Sequence, residues 1–208
     1  MPPVVLCYHA VAAEPFDGMA REMVVLAGEL ADEVRTLQAL GRRFVPASAL
    51  IGDPADDAAT LTFDDGWADA LTVAAPLLAE LGVPATFYVC PGLFGNTEDS
   101  GYSPAGRVMT RDEAGELHGL GFELGAHSLT HPDLVEAGDA LLTDELVGSR
   151  RAVAELTGEP CRTLAYPFGI HDARVRAATE AAGFELGFQF APGPWEPFAA
   201  PRVPKPAY

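Results

Sequence analysis

The sequence predicts an α/β fold in which helices alternate with the strands of a parallel sheet. Short apolar runs, several of them β-branched, alternate along the chain with longer segments of helical periodicity, which is typical of βαβ units. The chain has 208 residues, 49% of them hydrophobic, which is enough for one well-buried domain and short for two. We therefore expect residues 1–208 to form a single domain around a closed parallel barrel or an open doubly wound sheet.

The predicted strands are short apolar runs that end at polar or turn residues. They cover residues 4–8, 61–63, 85–89, 122–125, 163–165 and 186–190. In both kinds of parallel sheet, the loops after the carboxyl ends of the strands gather at one edge, where such folds hold their ligands. The polar residues that directly follow these runs are therefore the candidates for function.

Helical segments lie between the predicted strands. They cover residues 24–40, 68–81, 110–120, 144–156 and 173–182. Leucine and valine recur at steps of three or four residues in the first segment, which Gly41 ends. Pro76 predicts a kink or a late start in the second segment, and Thr110 begins a Thr-x-x-Glu capping box that opens the third. Residues 91–108 are predicted to be a long loop near the site, and the chain from residue 192 onward to be extended.

The balance of charges limits what the chain can bind. Its 13 Lys and Arg residues stand against 30 Asp and Glu residues, a formal net charge of -17. We therefore expect no nucleic-acid partner and no attraction to an anionic membrane surface. The cysteines, at positions 7, 90 and 161, have no C-x-x-C spacing, so we expect buried free thiols rather than a disulfide framework or a thiolate zinc site.

The sequence predicts no integral membrane segment, because no apolar run reaches the roughly 18 residues that a spanning helix needs. The first residues lack the basic leader of a signal peptide, and His9 interrupts their apolar run early. We therefore expect a cytoplasmic protein, with a mature secreted fragment as the alternative. The sequence does not predict the oligomeric state.

Two adjacent acids, Asp64 and Asp65, follow the predicted strand at residues 61–63. Two like charges at the end of an apolar run are costly unless a positive group sits beside them. His127 and His131 follow another predicted strand, and two imidazoles with one carboxylate make a three-ligand metal site with an open position for water. Zinc fits these ligands best, with Co, Ni, Mn or Fe as alternatives. The second acid could serve as a general base.

These residues match the motifs of a known family. The run Thr62-Phe63-Asp64-Asp65-Gly66 and the run His127-Ser128-Leu129-Thr130-His131 resemble the first two motifs of the polysaccharide deacetylases, carbohydrate esterase family 4. The run Tyr166-Pro167-Phe168-Gly169 resembles a variant of the third motif. The resemblance implies a distorted, incomplete (β/α) barrel of about seven parallel strands, with a groove across its top.

The resemblance also implies a role for each matching residue. Asp64 would be the base, while Asp65, His127 and His131 would hold one divalent ion, most readily zinc. Water bound to the metal would attack an acetamide carbonyl, and a backbone N–H near Phe168 would stabilise the oxyanion with the ion. The products would be acetate and a free amine.

The sequence departs from the family pattern in two places. Ala165 and Tyr166 stand where the third motif usually has an arginine before its proline, and Arg202 is the candidate replacement that would orient the base. No histidine stands near the C-terminus, where many members keep the general acid. His9 resembles the acid of the poly-N-acetylglucosamine deacetylases, a subgroup with a permuted final motif, and His171 is the competing candidate.

The expected partner is an N-acetylated amino sugar. The third-motif residues are assigned to substrate binding together with two tryptophans, whose rings suit a sugar face. The full set is Trp67, Tyr166, Pro167, Phe168, Gly169 and Trp195. The leading hypothesis is a metal-dependent hydrolase that removes N-acetyl groups from an oligosaccharide, polysaccharide or glycoconjugate. The alternatives are an amidohydrolase or O-acetyl esterase acting on a small substrate, and a non-catalytic metal-binding or carbohydrate-binding module.

Overall fold

Parallel strands form the centre of the molecule, as the sequence predicts. The computed structural model describes residues 3–15, 23–97 and 103–203. The strands are β1 Val4–Tyr8, β2 Ala10–Ala12, β3 Val24–Leu26, β4 Arg43–Phe44, β5 Ala58–Phe63, β6 Thr86–Val89, β7 Glu123–Ala126, β8 Thr163–Ala165 and β9 Leu186–Phe188. Seven of them form one sheet in the order β1-β5-β6-β7-β8-β9, with β4 also on β5, while β2 and β3 pair separately.

A segment near the C-terminus joins the two ends of this sheet. The N–H of Ala200 donates to Gly187 in β9 at 2.9 Å, and the N–H of Gln189 donates back to Ala200 at 3.0 Å. Three residues farther on, the N–H of Val203 donates to Val5 in β1 at 3.0 Å, and its carbonyl accepts from Cys7 at 3.0 Å. Residues 200–203 thus bridge β9 and β1 and curl the sheet toward a barrel.

The α-helices cover its outer face. They are α1 Ala27–Ala39, α2 Ala75–Leu81, α3 Arg111–Gly119, α4 Asp139–Thr157 and α5 Ala173–Ala181. The predicted capping box is confirmed, because Thr110 Oγ1 accepts from the N–H of Glu113 at 3.3 Å and the Glu113 side chain accepts from the N–H of Thr110 at 2.7 Å. None of the described helices is long and apolar enough to cross a membrane.

Three helix predictions differ from the structure. The helix predicted at 24–40 begins only at Ala27, because residues 24–26 pair with β2 as β3. The helix predicted from 144 begins five residues earlier, at Asp139, directly after Gly138. In the segment 68–81, a π-helical turn over Ala70–Ala74 precedes α2, which begins only at Ala75. The late start that Pro76 predicts is thus confirmed, with Pro76 in the first turn of α2.

The strand predictions at 4–8 and 163–165 are confirmed. Those at 85–89 and 122–125 differ by one residue at one end or both, since β6 begins at Thr86 and β7 covers Glu123–Ala126, and two other strands differ more. Strand β5 begins three residues before the predicted 61, and β9 ends at Phe188, two residues before the predicted 190. The long loop predicted at 91–108 contains a 3₁₀ turn over Pro91–Leu93; its residues 98–102, and residues 204–208 of the predicted extended tail, lie outside the described part.

The sheet presents different residues to its two faces. Toward the helices, the rings of Tyr8, Phe63 and Phe87 stack at centroid distances of 5.3 and 4.8 Å in the main core. Because side chains alternate along a strand, Tyr88 points to the other face, where it packs near Phe188 in a second cluster. The three cysteines are buried and free, as predicted.

Candidate metal and catalytic centre

The carboxyl ends of β1, β5, β7 and β8 bring the predicted site residues to one edge of the sheet. Strand β5 ends directly before Asp64, and β7 ends directly before His127. In the same way, β1 ends before His9 and β8 ends before Tyr166. The acids and histidines therefore meet because neighbouring parallel strands stop at the same level.

Asp65, His127 and His131 direct three ligand atoms toward one point. Asp65 Oδ1 lies 3.4 Å from His127 Nε2 and 3.4 Å from His131 Nε2, and all three atoms lie within 4.8 Å of one another. Donor atoms bound about 2.1 Å from a tetrahedral ion lie about 3.4 Å apart. The spacing and the N₂O donor set therefore fit a divalent ion such as zinc.

For Asp65 and His127, neighbouring hydrogen bonds select which atom of the side chain faces that point. His127 Nδ1 donates to the carbonyl of Ala165 at 2.8 Å, which leaves Nε2 as the ligand atom. Trp67 Nε1 donates to Asp65 Oδ2 at 3.1 Å, which leaves Oδ1 for the ion. The N–H of His131 donates to Ser128 Oγ at 2.9 Å. The side chains of Asp65 and His127 are thus oriented before an ion binds, and the backbone of His131 is held by Ser128.

Asp64 lies beside this group but faces an arginine. Arg202 Nη1 and Nη2 donate to Asp64 Oδ1 and Oδ2, both at 2.7 Å, and Nη1 also donates to Thr62 Oγ1 at 3.1 Å. Both charged side chains are buried, at 1% and 3% exposure. The guanidinium lies over the ring of Tyr88, 5.7 Å from its centroid. The structure thus brings Arg202 to Asp64, where the sequence analysis expects a replacement arginine.

The charges of the site act on one another. Burial by itself raises the pKa of Asp64, but Arg202 and His127 outweigh burial and hold that pKa well below its ordinary value. Burial lowers the pKa of His131, and the neighbouring His127 lowers it further. Asp64 is therefore held as a carboxylate and His131 as the neutral imidazole that can bind a metal.

His9 lies on the Asp64 side of the site. A ring nitrogen of His9, a carboxylate oxygen of Asp64 and the sulfur of Cys7 lie within 4.8 Å of one another, and Cys7 Sγ donates to Asp64 Oδ2 at 3.4 Å. His171 is placed elsewhere: its Nε2 lies 2.9 Å from Gln189 Oε1, and it is not among the described residues that line the site cavity.

The cavity over this edge has a volume of about 620 Å³. Its lining includes Asp65, His127 and His131, which we call the ligand group, together with Asp64, His9 and Arg202. Of the predicted substrate residues, Trp67, Phe168 and Gly169 line it. The other three predicted substrate residues are not among the described residues that line the cavity. They are Tyr166, Pro167 and Trp195.

The burial of these residues explains their position. Tyr166 is fully buried and donates its hydroxyl hydrogen to the carbonyl of Phe198 at 3.1 Å, and Pro167 is buried beside it. Trp195 packs against the second core cluster. Phe168 has φ 58°, is 59% exposed, and its ring meets that of His131 edge-on at a centroid distance of 4.7 Å.

The cavity also contains residues that the sequence analysis missed. Phe190, 40% exposed, lines the wall beside Phe168 and Gly169. The sequence does not predict Phe190 as a cavity residue, because the apolar run 186–190 predicts one continuous strand, whereas β9 ends at Phe188. Leu93 and Asn96 come from the loop 91–108, whose glycines and lack of periodicity were the available signal.

Comparisons with known proteins identify the family of this chain. The family model described as Polysaccharide deacetylase matches residues 51–187, which include both metal motifs and the third motif. The chitooligosaccharide deacetylase of Bradyrhizobium sp. (strain ANU 289) is 30% identical over 150 residues, 67% of this chain. The matched part is 61% of that protein and 47% of a second curated relative, so the chain spans about half to three-fifths of their lengths.

Solved structures share the whole fold. The Streptococcus pyogenes deacetylase PplD, determined in complex with acetate, superposes with a TM-score of 0.82 at 21% identity, over 99% of this chain and 92% of that chain. IcaB from Ammonifex degensii gives a TM-score of 0.79 at 21% identity, over 99% and 92%. These likenesses confirm the predicted α/β fold, a distorted, incomplete barrel of parallel strands. The matched motifs and this fold together show that the chain belongs to the polysaccharide deacetylase family.

Proposed function

We propose that this protein is a metal-dependent deacetylase that removes N-acetyl groups from an amino sugar in an oligosaccharide, polysaccharide or glycoconjugate. The observation that carries the proposal is the pairing of two units at one cavity: the ligand group of Asp65, His127 and His131, and the carboxylate of Asp64 held by Arg202. A pure binding module would need the first unit but has no use for an ionised, oriented acid beside it.

Each residue has an assigned task in this proposal. Asp65, His127 and His131 would hold a divalent ion, zinc first and Co, Ni, Mn or Fe as alternatives, which would supply Lewis acidity and lower the pKa of water. Asp64 accepts the proton of the attacking water, and Arg202 keeps the two carboxylate oxygens fixed toward the cavity while it does so. His9, within 4.8 Å of Asp64, donates a proton to the departing amine.

The remaining residues of the cavity bind and orient the sugar. The backbone N–H near Phe168 donates to the oxygen that gains charge on the attacked carbonyl. The cavity wall that would contact the sugar includes Trp67, Phe168 and Gly169. The cavity volume of about 620 Å³ lies within the range of about 300–1,000 Å³ that ligand sites occupy. The chitooligosaccharide deacetylase among the relatives supports an amino sugar as the substrate class.

The proposal is tested by separating metal binding from turnover. Purified wild-type protein is given N-acetylglucosamine oligomers, small acetamides and acetylated esters, and both amine and acetate are measured. We expect wild type to release equal amounts of amine and acetate from the oligomers, Asp64→Asn to bind metal without turnover, and His127→Ala to lose the metal. Asp32→Asn, an exposed acid 81% accessible on α1, is the control for loss of one charge.

The alternatives give different results. Acetate released only from esters would identify an O-acetyl esterase, and amine released only from small amides would identify an amidohydrolase. Oligomer binding without any product would identify a binding module. Equal turnover by wild type and Asp64→Asn would exclude the proposed mechanism.

A further inference from the structure

The loop that carries His131 has an unfavourable backbone conformation. Residues 128–131 connect the end of β7 to His131, and both Ser128, with φ 61°, and His131, with φ 62°, are non-glycine residues in the left-handed region. That region costs energy for any residue with a Cβ, so it persists only where surrounding contacts hold it. The Ser128 hydroxyl accounts for one such contact.

Glu145, a residue of α4 outside the ligand group, makes more of the contacts that hold this loop. Its Oε2 accepts from the N–H of Leu129 at 2.7 Å and from the N–H of Thr130 at 2.8 Å. Its Oε1 accepts from the hydroxyl of Thr130 at 2.5 Å. The side chain is buried, at 2% exposure, and all three donors belong to this loop. A buried carboxylate is tolerated when such donors satisfy both of its oxygens.

The loop is also held from its other side. The N–H of Gly92 donates to the carbonyl of Leu129 at 2.8 Å, and a Cβ on Gly92 would lie 2.7 Å from that oxygen. On α4, Gly148 stands one turn after Glu145, and a Cβ there would lie 3.2 Å from the Leu129 side chain. The peptide groups on both sides of Leu129 are therefore fixed, its N–H by Glu145 and its carbonyl by Gly92.

We propose that Glu145 is the positioning residue of the metal site, which holds the loop so that His131 Nε2 faces Asp65 Oδ1. This inference rests on the metal site of the proposed function and adds a residue outside the ligand motifs. Glu145 does not touch the ion, so its loss lowers affinity for the ion instead of removing a ligand. Partners that orient a metal ligand are typically worth about 10-fold to 100-fold in metal affinity.

The experiment measures metal affinity directly. Metal-free wild type, Glu145→Gln and Glu145→Ala are titrated with Zn²⁺ against a competing chelator, and with Co²⁺ by visible absorption. We expect Kd for Zn²⁺ to rise about 10-fold to 100-fold in Glu145→Ala, less in Glu145→Gln, which keeps one acceptor oxygen, and the Co²⁺ spectrum to change in the same order. Glu155→Gln on the same helix, 64% exposed, is the matched control with wild-type affinity.

Turnover separates a positioning residue from a catalytic one. At saturating Zn²⁺ we expect Glu145→Gln to recover most of the wild-type kcat, since the ligands and Asp64 are unchanged. Wild-type Kd and Co²⁺ spectrum in folded Glu145→Ala and Glu145→Gln would overturn the inference while leaving the proposed function intact. If Glu145→Ala does not fold, Glu145→Gln and Thr130→Val, which removes one donor, decide it by the same Kd. A Glu145 effect on Kd in a protein that releases no amine would support the inference and overturn the proposed function.

Discussion

Arg202 donates two hydrogen bonds of 2.7 Å to the carboxylate of Asp64, although 138 positions separate them in the sequence. This paired geometry matches a planar guanidinium to a carboxylate and fixes the direction of both oxygens. The place before Tyr166, where an arginine is usual for the family pattern, holds Ala165, whose carbonyl instead accepts from His127. The charge that faces Asp64 is thus supplied by the segment 200–203, after the last described strand.

Replacing Arg202 tests this pairing. Arg202→Ala leaves a buried carboxylate without its cation, so we expect the free energy of unfolding to fall by about 3–5 kcal/mol and turnover to be lost. Arg202→Lys keeps the charge but not the paired donors, and we expect an intermediate stability and a low kcat. Urea unfolding and steady-state kinetics measure both effects, with the exposed Arg151→Ala as control. Wild-type stability of Arg202→Ala would contradict the pairing.

His9 is tested by the leaving group. An amine must gain a proton as it departs, whereas an activated aryl ester leaves as a stable anion without one. We expect His9→Ala to lower kcat/KM on N-acetylglucosamine oligomers about 10²-fold to 10⁴-fold, with a much smaller loss on 4-nitrophenyl acetate. His171→Ala is the control, and similar losses on both substrates would remove His9 from the role of acid.

Replacing Gly169 tests whether the cavity wall beside Phe190 contacts the substrate. It has φ 67°, and a Cβ there would lie 2.2 Å from Phe190 Cβ and 2.5 Å from the Phe190 backbone nitrogen. We expect Gly169→Ala to displace Phe190, to destabilise the fold by about 1–3 kcal/mol and to lower kcat/KM while Zn²⁺ affinity is unchanged. Gly119→Ala, at a position with nothing within 4 Å, should not destabilise the protein. Unchanged kcat/KM in Gly169→Ala would show that this wall does not contact substrate.

Glu123, at the opposite end of the strands, predicts that the free energy of unfolding depends on pH. Burial raises its pKa above 4.5, although hydrogen bonds from Ser48 and Thr86 and the charge of Arg162 oppose burial. Since the folded pKa is the higher one, the stability that protonated Glu123 contributes is complete below the ordinary pKa and is lost as pH rises through the raised pKa. A glutamine at this position cannot ionise, so Glu123→Gln does not lose this stability as pH rises.

We therefore expect the stability of Glu123→Gln relative to wild type to increase as pH rises from 4.5, the ordinary pKa of a glutamate, toward neutral pH. Urea unfolding of both proteins across this range measures the difference. Glu155→Gln, exposed on α4, serves as control with a difference that does not change. A pH-independent difference for Glu123→Gln would show that its carboxyl has the same pKa in both states.

The edge of the sheet was predictable from the sequence because strand ends are local signals. Apolar runs that stop at Asp64 and at His127 locate those residues after strands, and the parallel arrangement then requires them to meet. The partner of Asp64 was only a candidate, since Arg202 reaches it through long-range closure of the sheet. Local patterns do not contain such closure.

The aromatic residues show a second limit. Whether a side chain just past a strand faces the cavity or the core depends on the twist of the following turn, and residue type does not decide it. Tyr166 turned inward and Trp195 joined the core, while Phe190, in what the sequence predicts as strand, faces the cavity. Glu145 lacks any motif, because its contacts form only when α4 packs against the loop.

The bridge at residues 200–203 has a consequence for how the protein is made. On the ribosome, Asp64, His127 and His131 are synthesised long before Arg202, which follows all of the described strands of the sheet. A nascent chain can therefore gather its ligand atoms while the neighbouring acid still lacks its counter-charge. In the proposed mechanism, competence for hydrolysis would arrive with the closure that joins β9 to β1, because the same segment supplies Arg202. Enzyme activity in a translation time course would thus report completion of the barrel, later than metal uptake.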